Sequence, residues 1–328
     1  MKKYGFFVIC ILLFTNHGSF GQKNNIQFNQ KGEFKIVQFT DMHMQKAVFE
    51  TVCALVKEIV ELEKPELVVI TGDVAVQDSA DDLLRKLATV FADNKVHWVS
   101  VFGNHDDEFG VSRKNLTGIY RSLAFNLNSS TPRIKGETNF IIPVTGKQNK
   151  HQALLYFFDS NAYNPLKNSV KSTYGWIECS QINWYRKQSA SYTGKNNGIP
   201  VPSLSFFHIP FPEYKTLWEQ DSAICIGSKH EAVSCPSINS GMCASMLESG
   251  DIMGVFAGHD HENDYIGKYN HIALAYGRFS GTNNTYGDLT PGARVIVLKE
   301  GKREFSTWIR ERGGNKLYEC TYPDSFME

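Results

Sequence analysis

A chain of 328 residues, 42% of them hydrophobic, can bury a sizeable core as one large domain or two ordinary ones. Its 34 lysines and arginines balance its 34 acidic residues, and no long run of one sign occurs. This argues against a nucleic-acid-binding tract or a polybasic membrane patch.

In chain order, the first predicted element is an export signal. Lys2 and Lys3 precede an apolar run from Tyr4 to Thr15, and Ser19-Phe20-Gly21 offers small residues for cleavage before Gln22. The alternative is a membrane anchor, but the run is shorter than the roughly 20 apolar residues that a spanning helix needs. No later segment is long and apolar enough to span. The reading is therefore residues 1–21 as signal peptide, 22–32 as a short lead-in and 33–328 as one domain. Export places the chain outside the cell, in a periplasm or in an endomembrane lumen, with no membrane span in the mature chain.

From Glu33 the pattern reads strand, helix, strand, helix, strand. Phe34–Phe39, Leu67–Ile70 and Val96–Phe102 are apolar, β-branched runs. Between them, Phe49–Leu62 carries Val52, Leu55, Val56, Ile59 and Val60 at helical spacing and is stopped by Pro65. Ala80–Ala92 carries Leu83, Leu84, Leu87, Val90 and Phe91 in the same way. Continuously apolar strands alternating with amphipathic helices imply a mainly parallel sheet covered on both faces.

Further on, strands are expected at Phe140–Val144, Ala153–Asp159, Ser203–Phe207 and Ile252–Ala257, and helices at Gln181–Ser191 and Ser240–Ser249. The end reads as strands at Ile272–Tyr276, Arg294–Lys299 and Glu304–Arg310, with antiparallel pairing as the expectation. There is no internal repeat and no linker. Of the seven cysteines, Cys10 falls in the apolar run and no pair has C-x-x-C spacing, so a structural zinc site is disfavoured. Cys225, Cys235 and Cys243 are the best disulfide candidates if the chain is exported.

Polar residues that can bind metal follow five of these strands. They are Thr40-Asp41-Met42-His43, Thr71-Gly72-Asp73, Gly103-Asn104-His105-Asp106, His208-Ile209-Pro210 and Gly258-His259-Asp260-His261. In open α/β sheets, ligands bind beyond the carboxyl ends of the strands, where residues distant in sequence converge. Carboxylates, an amide oxygen and imidazoles suit a catalytic Mn, Fe or Zn site, not a thiolate cage. Any one of these motifs has an ordinary loop or capping explanation. Five at successive strand ends point to a shared site.

The order D-x-H, GD, GNHD, H, GHDH resembles the calcineurin-like metallophosphoesterase superfamily, from Asp41 to the last strands. YGWIECSQINWY from Tyr174, FFHIPFPEY from Phe206 and AGHDHENDYIGKY from Ala257 resemble its Dcr2-like and small purple acid phosphatase-like branch. The resemblance implies an α/β fold, a four-layer α/β/β/α sandwich of two mixed sheets. It also implies two divalent or mixed-valence transition-metal ions. Asp41, His43 and His261 would hold one and Asn104, His208 and His259 the other, with Asp73 bridging both. A metal-bridging hydroxide would attack the phosphate ester, His105 would act as general acid and Asp106 would orient His105.

Purple acid phosphatases proper carry D-x-G and GDxxY, whereas here His43 takes the place of the glycine and Val76 that of the tyrosine. The site is therefore expected to be the colourless D-x-H type. The substrate would be a phosphorylated small molecule or a phosphoprotein, with a monoester favoured over a diesterase or nucleotidase activity. A catalytically silent binding module is the remaining class. Specificity is assigned to loops such as Phe109–Ile142 and Ser160–Trp176. Arg278 is a candidate phosphate clamp, Tyr174 and Trp176 are candidates for the substrate mouth, and His97 is expected to be a core histidine. Asn115, Asn128 and Asn283 fit N-x-[ST].

Overall fold

The computed structural model describes residues 26–76, 80–282 and 287–327. The expected signal peptide and Asn283 lie outside the described residues. The first strand, β1 (Glu33–Phe39), leads into helix α1 (Phe49–Glu63), whose apolar stripe is buried. Each such side chain contributes about 1.5–3 kcal/mol on burial. Helix α1 ends where Lys64 turns left-handed just ahead of Pro65. Strand β2 (Leu67–Thr71), helix α2 (Ala80–Asp93) and strand β3 (His97–Val101) repeat the pattern, and Asp81 and Asp82 complement the helix dipole in the first turn of α2.

Then follow α3 (Arg113–Ser122), β4 (Phe140–Thr145), β5 (His151–Phe157), α4 (Cys179–Lys195), β6 (Ser203–Phe206), α5 (Glu213–Glu219) and β7 (Cys225–Ile226). The chain closes with α6 (Met242–Ser249), β8 (Ile252–Ala257), β9 (Ile266–Tyr269), β10 (Ile272–Tyr276), β11 (Gly292–Lys299), β12 (Phe305–Glu311) and β13 (Lys316–Tyr322).

The strands form two mixed sheets, ordered β13-β12-β11-β1-β2-β3 and β4-β5-β6-β8-β10-β9-β7. β1, β2 and β3 run parallel, as do β5, β6, β8 and β10. The C-terminal strand β11 pairs antiparallel with β1, so the two ends of the fold share one sheet. Three apolar layers separate the elements. One lies between α1–α3 and the first sheet, one between the two sheets, and one between the second sheet and α4–α6. This is the four-layer α/β/β/α sandwich.

Some elements depart from the sequence expectation. Helix α3 occupies part of the stretch read as a loop. It buries only Leu116, Thr117 and Tyr120, too few apolar positions to show a period, and starts on Ser112, whose hydroxyl accepts the Asn115 amide. β13 is a further addition: it is an edge strand whose burial follows no clean alternation, so the sequence carries no period for it. No disulfide is present among the described residues. Cys243 is buried on α6, while Cys225 and Cys235 are half-buried free thiols. Among the described residues no helix is long and apolar enough to cross a membrane.

Candidate metal centre

The carboxyl ends of β1, β2, β3, β6 and β8 meet at one rim, on the seam between the two sheets. The loops after β1 and β2 run side by side. The amides of Asp41, His43 and Met44 donate to the carbonyls of Gly72, Asp73 and Val74 at 3.1, 3.0 and 2.9 Å. Asp41, His43, Asp73 and His259 all have left-handed backbones, with φ of 50°, 42°, 51° and 79°. Non-glycine residues rarely adopt this conformation, and it concentrates at functional sites. Gly103 is a true close approach: a β-carbon there would lie 2.1 Å from Asp73 Oδ1 and 2.6 Å from the Asp73 amide nitrogen.

Asp41, Asp73, Asn104 and His208 form a buried floor, while His43, His259 and His261 stand at its half-buried edge. The ligand atoms of Asp41, His43 and His261 lie within 4.8 Å of one another, and so do those of Asp73, His208 and His259. His208 Nε2 is 3.2 Å from Asp73 Oδ2, 3.2 Å from Asn104 Oδ1 and 3.2 Å from His259 Nδ1. His43 Nε2 is 3.4 Å from Asp73 Oδ2, so Asp73 faces both groups. All seven sequence candidates are thus brought together.

The second layer of contacts orients these ligands. His208 Nδ1 donates to the Thr71 carbonyl at 2.7 Å, which leaves Nε2 as the nitrogen that faces the site. Asp41 Oδ2 accepts from Thr40 Oγ1 at 2.6 Å and from the His259 amide at 2.9 Å. Its other oxygen, Oδ1, is buried without a hydrogen-bond partner. His261 Nε2 faces it as an ion-pair contact at 3.2 Å. His259 Nε2 is likewise buried without a partner. Orphaned buried acceptors among carboxylates, an amide and imidazoles fit a pair of cations.

The electrostatics agree. Burial alone would raise the Asp41 carboxyl, yet His208 and His261 hold it well below the usual carboxylate range. Asp73 is lowered in the same way, against burial, by His208 and His43. Burial would lower His43 and His208, but the facing carboxylates push them up to about 10 and about 9. Burial and the charge of His208 take His259 down to about 3. The site therefore favours positive charge between its carboxylates, whether carried by protons or by metal ions.

His105 stands at the edge of the site, with its ring centroid 5.5 Å from that of His43. Its partner is not Asp106, which corrects the sequence expectation. The Asp106 carboxylate is buried and instead accepts the amides of Asp73, Val74 and Gly103 at 3.0, 2.8 and 2.7 Å. Glu108 faces the ring: Oε2 lies 2.6 Å from His105 Nδ1, and Tyr163 donates its hydroxyl to Oε1 at 2.5 Å. Those two bonds, working against burial, hold Glu108 below its ordinary value. The i,i+3 spacing to His105 was the available signal for Glu108. Tyr163 had none, because tertiary folding alone brings it there.

Arg278 is also corrected. It is buried and fully engaged by Asp264 at 2.5 Å, Glu311 at 3.3 Å and the Thr290 carbonyl at 2.9 Å, so it is not available to clamp a phosphate. Tyr174 does reach the centre, edge-on to His259 with ring centroids 4.3 Å apart. Trp176 is half-buried. His97 is half-buried at the start of β3, against Phe125. The Asn128 side chain is buried, bonded both ways to the Ser100 backbone, whereas Asn115 is exposed on α3.

Comparison with known proteins adds to this geometry. Residues 34–263 match the calcineurin-like phosphoesterase family. The chain is 30% identical to "Probable inactive purple acid phosphatase 29" of Arabidopsis thaliana, over 88% of this chain and 82% of that one. It is 30% identical to "Phosphatase DCR2" of Saccharomyces cerevisiae, over 89% of this chain and 56% of that one. The fold resembles a dimetal phosphatase from Danio rerio, with a TM-score of 0.60 and 14% identity, over 88% of this chain and 98% of that one. With the family match spanning most of its length and the same two-sheet fold, this chain belongs to the calcineurin-like phosphoesterase family.

Proposed function

We propose that the protein is an exported phosphomonoesterase that holds two transition-metal ions in this centre and uses His105 as general acid. The observation that carries the reading is the convergence of six carboxylate and imidazole donors in two adjoining groups, with Asn104 Oδ1 3.2 Å from His208 Nε2 and Asp41 Oδ1 buried without a hydrogen-bond partner. Asp41, His43 and His261 would hold one ion, Asn104, His208 and His259 the other, and Asp73 would face both. When bound, the ions supply Lewis acidity toward the phosphoryl oxygens and toward water.

The protein supplies the rest. His105 sits at the edge of the site, where it can hand a proton to the departing oxygen. Glu108 holds its other nitrogen at 2.6 Å and so fixes the orientation of the ring. The complete donor set and the paired His105 support an active enzyme, although the Arabidopsis relative's name calls that protein inactive. Val76, where purple acid phosphatases carry tyrosine, supports a colourless centre. Lys2, Lys3 and the apolar run that follows support export, which N-terminal sequencing of released protein would test.

Metal analysis of purified protein, paired with a screen of phosphomonoesters, phosphodiesters, nucleotides and phosphoproteins, tests the activity. Two metals per chain with monoester turnover is the expected result. Faster turnover of diesters would move the assignment to a diesterase. Two bound metals with no turnover of any ester would make the chain a binding module.

A further inference from the structure

Beside His105 lies a cleft of about 590 Å³, bounded by the start of α3, the Ile134–Glu137 turn and the Asn161–Trp176 loop. That volume falls in the range of small-ligand sites. Three links tie it to the metal centre. Tyr163 lines the cleft and bonds Glu108, which holds His105. Arg113 lines it and donates to the Gly103 carbonyl, next to Asn104, at 2.5 Å. Asp107 lines it and directly follows Asp106. The cleft therefore adjoins the metal centre on its His105–Glu108 edge.

Its walls describe that group. Tyr163 is 45% exposed and stacks on Tyr174 with ring centroids 6.3 Å apart and planes 21° apart. Tyr174 in turn abuts His259, so an aromatic ledge runs from a metal-ligand candidate into the cleft. The ledge is rigid. Tyr163 and Tyr174 pair as an antiparallel bridge, flanked by hydrogen bonds that the Asn164 amide donates to the Thr173 carbonyl and the Gly175 amide to the Ala162 carbonyl. Trp176 adds a second ring to the lining.

The charges in the cleft largely cancel. Arg113 is bound by Asp159 at 2.6 Å and Asp107 at 3.2 Å, and Lys135 faces Glu178 at 4.0 Å. Lys114 and Glu137, of opposite sign, complete the charged lining. Carboxylates outnumber cations by one, so a second phosphate on the leaving group finds no net positive field.

We propose that this cleft is the leaving-group site and that it takes a flat, uncharged ring stacked on Tyr163. The substrate would then be the phosphate monoester of a nucleoside or of a phenolic side chain, in preference to that of a small polyol or a polyphosphate. The proposal rests on the phosphomonoesterase reading. The test compares kcat/KM for adenosine 5′-monophosphate, phosphotyrosine and glycerol 3-phosphate in the metal-loaded parent, Tyr163→Ala and Tyr163→Phe. The ratio of Tyr163→Ala to Tyr163→Phe for each substrate cancels both intrinsic leaving-group reactivity and the hydroxyl bond to Glu108 that the two variants lose alike.

Stacking on an aromatic side chain predicts that Tyr163→Ala loses roughly tenfold more on a ring-bearing substrate than on glycerol 3-phosphate. Tyr163→Phe, which keeps the ring, should show no such selective loss. Whichever of the two ring-bearing esters suffers the greater loss identifies the source of the ring. Calorimetric titration with adenosine and with N-acetyltyrosinamide gives a readout that does not depend on turnover. Ring binding that is lost in Tyr163→Ala, in a protein without turnover, would uphold the cleft and overturn the phosphatase reading. Turnover with equal losses on all three esters would overturn the cleft and keep the phosphatase. Neither turnover nor ring binding would overturn both.

Discussion

Asp106→Ala removes the acceptor of three buried amides at once, those of Asp73, Val74 and Gly103. A buried donor left without a partner costs about 1–3 kcal/mol, so three would cost several kcal/mol if the gap stayed dry. Two effects offset part of this. Water entering the space can satisfy one or two amides. Removing the carboxylate also relieves its repulsion with Asp73, which together with burial raises the Asp106 carboxyl above its ordinary range.

A net loss of roughly 3 kcal/mol is expected, a large share of the 5–15 kcal/mol that holds a typical domain together. The loss should be larger in metal-loaded protein, because bound cations already neutralise Asp73 and leave little repulsion to relieve. Asp106→Asn keeps one oxygen, enough for the two amides that share Oδ2, and should fall about midway. Urea unfolding of both variants, with and without metal, measures the loss, and metal titration measures the looser coupling of the Asp73 and Asn104 loops. An alanine variant within about 0.5 kcal/mol of the parent, with unchanged metal affinity, would refute the argument.

Three further outcomes follow from the same geometry. His105→Ala should retain both metals and lose about 10²–10⁴-fold on alkyl phosphates but far less on p-nitrophenyl phosphate, whose leaving group needs no proton. Glu108→Gln should show a milder form of the same split, and equal losses on both esters would remove the pair from proton transfer. Gly103→Ala drives a β-carbon to within 2.1 Å of Asp73 Oδ1, so metal affinity should drop at least about tenfold while circular dichroism stays unchanged; parent-like affinity would mean that the loop yields.

Finally, His43 and His208, raised from 6.5 to about 10 and about 9, carry protons across pH 6–8 in metal-free protein. Metal must displace them, so affinity should rise up to about a hundredfold per pH unit in that window, with proton release visible by calorimetry in two buffers. Without metal the sign for stability is the reverse. The raised imidazoles stabilise the fold fully below about pH 6.5, and that contribution is lost as pH climbs through about 9 to 10. A flat affinity profile from pH 6 to 8 would contradict the shifts.

The amino-acid sequence by itself determined the parallel strands, the helices with strong apolar stripes and the seven donors at the strand ends. These are local signals: α1 declares itself through Val52, Leu55, Val56, Ile59 and Val60, and each donor follows its strand directly. Helix α3 and strand β13 were illegible because few of their side chains are buried, so no period shows. Only the tertiary structure decided which neighbour each polar side chain meets. Asp106 is adjacent in sequence to His105, yet it turns inward to the Asp73 and Val74 amides of a different strand end and to that of Gly103, while Glu108 and the distant Tyr163 come to the ring. Arg278 follows a strand as the donors do, but Asp264 and Glu311 wait for it inside the fold. A side chain's chemistry is written in the chain, but its partner is set by where the backbone of another element passes.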